Sequence, residues 1–254
     1  MEIPQAISQI LDSEVFDSKL RDSIKEWATD DLFANFLTNY AKKVSAKLKT
    51  SIDIQDQRDI GLELFVARIF LLSGCQVLYE PSKKGPDLHL QLDNEHYFCE
   101  VRRIRENLSD SERGFLHFNP KDFRKIGDII CEKFLNLEIG QPNIIYIRSN
   151  RFLIEKSYLH DAVNELYKMA TAGDTAFFVK KKFKDEQDFL VRASSCSAII
   201  LEDLWARSDD SDAFDCIYQN KRAQHPLSQQ MLRVIIEAIG IRFRNYKLGS
   251  IKRI

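Results

Sequence analysis

The segment GPDLHLQLDNEHYFCEVRR, residues 85–103, constrains the fold more than any other part of the chain. Apolar and polar residues alternate on both sides of Asp93-Asn94, and a period of two is typical of β-strands with one buried face. Asp and Asn tolerate the positive φ angles of a tight turn. The sequence therefore predicts an antiparallel hairpin that turns at these two residues.

The register of this hairpin determines which side chains share a face. A two-residue turn places Leu92 opposite Glu95, and the same register places Asp87 opposite Glu100, with Arg102 on their face. Like charges that face each other destabilise a hairpin unless a cation lies between them. A divalent metal ion would supply that cation. The alternative is an ordinary solvated face on which Arg102 bridges the two carboxylates.

A third carboxylate lies upstream, in the helical segment DIGLELFVARIFLLSG, which Gly74 is expected to end. Glu63 shares a helix face with Ile60, Ala67 and Phe70, so an apolar environment is expected around it. A buried carboxylate requires a partner or a bound cation. The alternative is that Glu63 extends to the edge of the helix and reaches water.

The rest of the chain alternates between helical and strand patterns. Residues 1–52 are expected to form a helical N-terminal region, which includes DDLFANFLTNYAKKVSAKL, and residues 53–254 an α/β domain. Helices are further expected at KDFRKIGDIICEKFLNL and LSQQMLRVIIEAIG. The predicted strands are QVLYE, DLHLQL, HYFCEV, NIIYIRS, TAFFVKK and SAIILED.

A helix with an embedded Glu, then a strand, Gly-Pro-Asp, about a dozen residues and Glu-Val-Arg resembles the PD-(D/E)XK nuclease superfamily. The resemblance is clearest over roughly residues 55–150, and it implies a restriction-endonuclease-like fold, a central mixed β-sheet flanked by helices. It implies a metal-dependent nuclease that hydrolyses phosphodiester bonds, of DNA more than RNA. Mg²⁺ or Mn²⁺ would be held by Asp87, Glu100 and the Val101 carbonyl, with Glu63 bound directly or through water.

One position departs from the motif, because Arg102 stands where the family has Lys. Guanidinium stays protonated, so Arg102 is suited to stabilise charge on phosphate but not to act as a base. Lys125 is the first candidate for a displaced lysine, followed by Lys121 and Lys84. A catalytically degenerate member that binds nucleic acid or a protein partner is the alternative, and an unrelated α/β protein with a charged hairpin is a third.

Charge and composition limit the other functions. The chain has 37 Lys and Arg against 38 Asp and Glu, so nucleic acid must be contacted by a local patch, for which Lys181 and Lys182 are candidates. The N-terminus lacks a signal-peptide pattern and no apolar run reaches the length of a membrane span. We therefore expect a cytoplasmic protein that does not enter membranes. A homodimer is left open.

Overall fold

The computed structural model describes residues 5–11, 17–51, 53–82, 85–105, 120–149, 156–203 and 217–249. These ranges contain helices and strands in the order that the sequence pattern indicates, helices first and then strands that alternate with helices. The helices are α1 (Gln5–Leu11), α2 (Ser18–Trp27), α3 (Asp31–Thr50), α4 (Ile54–Leu72), α5 (Pro120–Phe134), α6 (Lys156–Thr171), α7 (Thr175–Lys180), α8 (Glu186–Ser195) and α9 (Gln229–Gly249). The strands are β1 (Gln76–Tyr79), β2 (Leu88–Leu92), β3 (Glu95–Arg103), β4 (Asn143–Ser149), β5 (Cys196–Asp203) and β6 (Ile217–Gln219).

The six strands form one mixed sheet in the order β1-β2-β3-β4-β5-β6. β1, β2 and β3 form an antiparallel meander, β3, β4 and β5 are parallel, and β6 closes the sheet as an antiparallel strand. The parallel connections carry helices, as parallel pairing requires. The predicted class, a mixed α/β sheet flanked by helices, is therefore confirmed at this level.

Helices cover the two faces of the sheet with two separate cores. One core joins α1–α4 and α9 to one face, and includes Ile144, Tyr146 and Ile200 from the central strands. The other core joins α5, α6 and α8 to the opposite face, and includes Ile145 and Ile147, the residues that alternate with the first set. The central strands are apolar on both faces, as strands in the middle of a covered sheet must be.

The N-terminal helices share the first of these cores with the sheet. α2 approaches α4 so closely that a Cβ on Gly61 would lie 2.6 Å from a Leu20 methyl carbon, which explains the glycine in the middle of a helix. Trp27 of α2 packs on Phe65 of α4, with ring centroids 5.7 Å apart. The boundary expected between residues 52 and 53 thus falls in the loop between α3 and α4, and the two regions are packed together.

Several local expectations are confirmed. Asp30 caps α3, since its carboxylate accepts hydrogen bonds from the backbone N–H groups of Leu32 and Phe33. Gly74 follows α4 with a φ of 90°, the left-handed conformation that ends many helices. The hairpin pairs Leu92 with Glu95, as the two-residue turn requires, and Asp93 has a φ of 52°.

One predicted strand is wrong. The segment TAFFVKK forms α7 and the turn after it, because Asp174 caps the helix by accepting a hydrogen bond from the Phe177 N–H. A run of four apolar residues fits either period, so the cap and the burial of Phe178 decide the outcome.

Among the residues that the structure describes, no helix is long and apolar enough to cross a membrane. The four described cysteines, Cys75, Cys99, Cys131 and Cys196, are buried and free, in agreement with the interpretation that they are reduced core residues.

Candidate functional site

Asp87 directly precedes β2, one residue beyond the last observed pair of the hairpin. The observed pairs run from Leu92 with Glu95 to Leu88 with Cys99, so the next residues in this register are Asp87 and Glu100. The Oδ2 atom of Asp87 accepts a hydrogen bond of 2.7 Å from the Val101 N–H. This contact fixes the carboxylate across the mouth of the hairpin.

Glu100 is buried, with 3% of its surface exposed, and its partner is a lysine that comes from α5. The Nζ atom of Lys133 donates a hydrogen bond of 2.7 Å to Oε2 of Glu100 and lies 3.6 Å from Oδ2 of Asp87. One ammonium group therefore lies between the two acids of the hairpin. Among the described residues, the cation between the facing carboxylates is Lys133, and Arg102, the bridge that the alternative expected, contacts Glu132 instead.

Glu63 is buried in α4, with 8% of its surface exposed, so the alternative in which it reaches water at the helix edge is wrong. Lys47 of α3 donates to both of its carboxylate oxygens, at 3.0 and 2.7 Å. The Tyr79 hydroxyl donates a further hydrogen bond of 2.7 Å to Oε2 of Glu63. Lys47 also contacts Glu80, at 2.6 Å, so this ammonium is shared between two acids as well.

The three carboxylates influence one another electrostatically. Burial and the negative charge of Asp87 raise the pKa of Glu63 to about 7, against the opposing effect of Lys47. Burial also raises the pKa of Glu100 to about 7; Lys133 acts in the opposite direction and Asp87 adds to the rise. Asp87 is thus the carboxylate that couples the helix acid to the strand acid.

The two lysines remain protonated in this environment. Burial by itself would lower the pKa of Lys133, but Asp87 and Glu100 outweigh that effect and the pKa lies above its ordinary value. The pKa of Lys47 is raised in the same way, because Glu63 and Glu80 outweigh its burial. Both side chains are therefore suited to stabilise negative charge and not to accept a proton.

These groups surround a pocket of about 340 Å³ at the C-terminal end of β3. The end of α3 and the start of α4 form its other walls. Glu63, Asp87 and Lys133 line it, and Glu100 lies behind Lys133. Charged and polar side chains dominate the wall. The lining residues are Lys47, Thr50, Ser51, Asp56, Asp59, Ile60, Glu63, Asp87, Val101, Arg102, Arg103, Arg105 and Lys133.

The donor chemistry of the pocket suits a hard cation, but the donors do not form a closed cage. Within the described ranges, no group of three or more His, Cys, Asp or Glu side chains is arranged to hold a metal ion. Mg²⁺ is commonly bound by one or two carboxylates, with water and substrate oxygens completing the octahedron. Asp87 and Glu100 supply the carboxylate oxygens that such an open site needs, but Lys133 contacts both of them and Glu100 does not line the pocket.

The remaining predicted site residues lie in different places. Arg102 points to α5, where its guanidinium contacts the exposed Glu132 at 3.4 Å. Lys125 lies on the same helix, but its Nζ atom is 3.4 Å from the Arg105 carbonyl oxygen and away from the acids. Lys181 pairs with Asp128 at 2.5 Å on the outer side of α5.

Three further lysines complete the predicted set. Lys182 is exposed and has a φ of 71° in the turn after α7. Lys84 and the side chain of Lys121 lie outside the described residues. Contact of any of these lysines with nucleic acid stays a prediction.

Sequence reasoning missed Lys133, although a signal for it was present. Lys133 follows Ile126, Ile129 and Ile130 at helical spacing, so it belongs to the apolar face of α5. The same criterion identified Glu63 in α4. Lys125, the first candidate for the displaced lysine, is not on that apolar face.

The fold and the pocket together define an α/β protein with a carboxylate and lysine site at the end of a β-hairpin. Comparison with protein-family models, with curated proteins and with solved structures finds no match for the chain.

Proposed function

We propose that this pocket hydrolyses phosphodiester bonds of nucleic acid, with DNA as the expected substrate and Mg²⁺ or Mn²⁺ as the cofactor. One observation carries the proposal: Glu63 and Asp87 line the same pocket, and Lys133 contacts both Asp87 and Glu100. The arrangement resembles the PD-(D/E)XK site and the restriction-endonuclease-like fold, and it supplies a lysine where the motif itself has Arg102. The protein is proposed to act in the cytoplasm, and a homodimer stays a prediction.

Each side chain has a role that its surroundings support. Asp87 and Glu100 would hold the metal, and Glu63 would orient a water molecule next to Asp87. A bound Mg²⁺ would polarise the scissile phosphate and lower the pKa of the attacking water. Lys133, which stays protonated beside Asp87 and Glu100, would stabilise the negative charge that develops on the phosphate oxygens. Arg102, with 31% of its side chain exposed, would contact a neighbouring phosphate.

The proposal is tested by incubating the purified protein with supercoiled and linear DNA in Mg²⁺, Mn²⁺ or EDTA. Cleavage is expected with either metal and not with EDTA. Asp87→Asn should reduce the rate of cleavage on the order of 100-fold or more, because the variant loses a negatively charged carboxylate that would hold the metal ion. The matched control is Asp128→Asn, which changes an exposed carboxylate on the outer side of α5. Cleavage that survives Asp87→Asn would contradict the proposal.

A second function is favoured by the way the acids are already neutralised. Lys47 and Lys133 bind Glu63 and Glu100 directly, which leaves less negative charge to attract a metal ion. A protein of this fold that binds nucleic acid or a protein partner without cleaving would use the pocket with its acids still paired to these lysines. Calorimetry with Mn²⁺ separates the two, since the nuclease requires metal binding that depends on Glu100.

A further inference from the structure

Three aromatic side chains lie together on one face of the β2–β3 hairpin. The rings of His89 and Phe98 are stacked, with centroids 4.8 Å apart and planes that differ by 18°. His96 lies beside His89, edge to edge, with its centroid 5.1 Å from that of His89 and a plane angle of 31°. A hydrogen bond of 3.0 Å joins His89 Nε2 to His96 Nδ1. The three rings therefore form a pre-arranged aromatic surface.

These rings lie near the turn of the hairpin, where His96 is exposed and His89 and Phe98 are half-buried. α4 packs on the opposite face, where Leu88, Leu90 and Cys99 are buried. On the face of the rings, α5 reaches β3 only further along the strand, at Glu100 and Arg102. The core under α5 includes side chains of β4 and β5 but none of β2 or β3 among the described residues. Leu78 of β1, on this same face, is 47% exposed.

The same face leads directly to the candidate site. Phe98, Glu100 and Arg102 alternate along β3, so they share one face at intervals of about 7 Å. The Nε atom of Arg102 is buried and has no hydrogen-bond partner among the described residues, and its ion pair with Glu132 is long and exposed. Rings, acids and a guanidinium thus follow one another along a single strand.

We propose that this face binds unpaired nucleobases of a single-stranded nucleic acid, with the bases on the aromatic surface of His89, His96 and Phe98 and a backbone phosphate on Arg102. The inference rests on the proposed function, because it names the substrate class of that site. Flat bases stack on exposed aromatic rings whatever their sequence, and guanidinium complements phosphate. Paired bases inside a duplex cannot offer their faces to such a surface, so the arrangement selects single strands, ends or flaps.

The electrostatics of the histidines fit this role. Burial, with a contribution from His96, lowers the pKa of His89, so this imidazole is neutral at pH 7. Binding to the rings is then stacking and not charge attraction, and the salt dependence of binding is expected to come from the phosphate on Arg102.

The test is a binding measurement that does not require cleavage. Fluorescence anisotropy with labelled 20-residue oligonucleotides in EDTA compares single-stranded DNA, single-stranded RNA and duplex DNA of the same sequence. The full-length protein is expected to bind a single strand at least about tenfold more tightly than the duplex. Whichever single strand binds more tightly identifies the sugar, and a preference for either supports the proposal.

Substitution of one ring provides the matched comparison. Phe98→Leu keeps an apolar side chain but removes the aromatic ring, and it should weaken single-strand binding about tenfold while duplex binding is unchanged. Phe98→Tyr keeps the ring and should bind as the unchanged protein does. His96→Ala changes an exposed residue that the fold does not need, and it should weaken single-strand binding by a few fold. The control is His160→Ala, which removes a histidine that packs on Tyr218 of β6, at the far edge of the sheet.

The outcomes distinguish this inference from the proposed function. Equal affinity for duplex and single strands, failure to bind either, or unchanged binding by both Phe98→Leu and His96→Ala would overturn the inference. Ring-dependent binding by a protein that never cleaves would support the inference and contradict the nuclease. Cleavage of duplex DNA, together with single-strand binding that the ring variants leave unchanged, would support the nuclease and contradict the inference.

Discussion

Glu63 and Glu100 are two buried glutamates that obtain a lysine partner from different parts of the chain. Lys47 comes from α3, is 30% exposed at its side chain, and divides its charge between Glu63 and Glu80. Lys133 comes from α5, is 9% exposed at its side chain, and divides its charge between Glu100 and Asp87. The comparison indicates that Lys133 is the more strongly desolvated cation and that its partners include the acid central to the site.

This difference predicts the largest effect for Lys133→Gln. Removal of the ammonium leaves Glu100 buried without a cation, and breaking a buried pair in this way costs about 3–5 kcal/mol. We expect the free energy of unfolding to fall by about that amount in urea denaturation, and DNA cleavage to fall as well. The matched control is Lys125→Gln in the same helix, which should change stability by less than about 0.5 kcal/mol. Equal losses of stability in Lys133→Gln and Lys125→Gln would show that the ion pair with Glu100 contributes no more than a surface lysine.

The pH dependence of stability is the next largest expected effect. Burial raises the pKa of both Glu63 and Glu100 to about 7, whereas both groups titrate near 4.5 in the unfolded chain. Between these values the folded protein keeps protons that the unfolded chain has lost, so the free energy of unfolding decreases as pH rises from about 4.5 to about 7. We expect a decrease on the order of 2–4 kcal/mol.

Urea denaturation at pH 4.5, 6 and 8 measures this decrease, and two variants divide it between the sites. Glu63→Gln and Glu100→Gln should each flatten the profile, since each removes one of the two titrating groups. A stability that rises through this window in the unchanged protein would show that the carboxylates are not held in the way described.

A smaller effect is expected for Lys47→Gln. Glu63 would lose its cation but keep the hydrogen bond from the Tyr79 hydroxyl, and the side chain of Lys47 is partly solvated before the change. We expect a loss of about 2 kcal/mol in the free energy of unfolding, less than for Lys133→Gln. A larger loss than that of Lys133→Gln would reverse the comparison between the two sites.

The smallest effect is expected for Tyr79→Phe. This variant removes one hydrogen bond to Glu63 and leaves Lys47 in place, so the loss should be about 1 kcal/mol in the same assay. Tyr97→Phe is the comparison, because the Tyr97 hydroxyl contacts Ser228 and the exposed Glu95 and no buried carboxylate, so its loss should matter less. Indistinguishable stabilities of the two variants would indicate that the Glu63 contact is no stronger than a surface one.

The sequence predicted the hairpin and the burial of Glu63 because both depend on local periodicity. Alternation with a period of two, together with Asp93-Asn94, gives one register, and the observed pair of Leu92 with Glu95 confirms it. Glu63 is surrounded by apolar residues at helical spacing, so its burial also follows from near neighbours in the chain. The segment TAFFVKK was expected to be a strand but begins with a helix. Its four apolar residues fit both periods, and the cap at Asp174 favours the helix.

The partners of the acids could not be predicted in the same way. Lys47 and Lys133 lie 16 and 33 residues from the glutamates that they bind, and several other lysines are equally near in sequence. The packing of α3 and α5 on the sheet decides which lysine lies next to each glutamate. This packing involves contacts that no local sequence pattern encodes.

By itself, the sequence determined most of the strands and helices, the register of the hairpin and the burial of Glu63, since those properties depend on side-chain period and on turn chemistry. Only the tertiary structure decided that lysines from two different helices meet those acids and that Asp87 couples the two pairs. The physical reason is that a buried charge is stabilised by whichever opposite charge the packing of distant elements brings within a few ångströms.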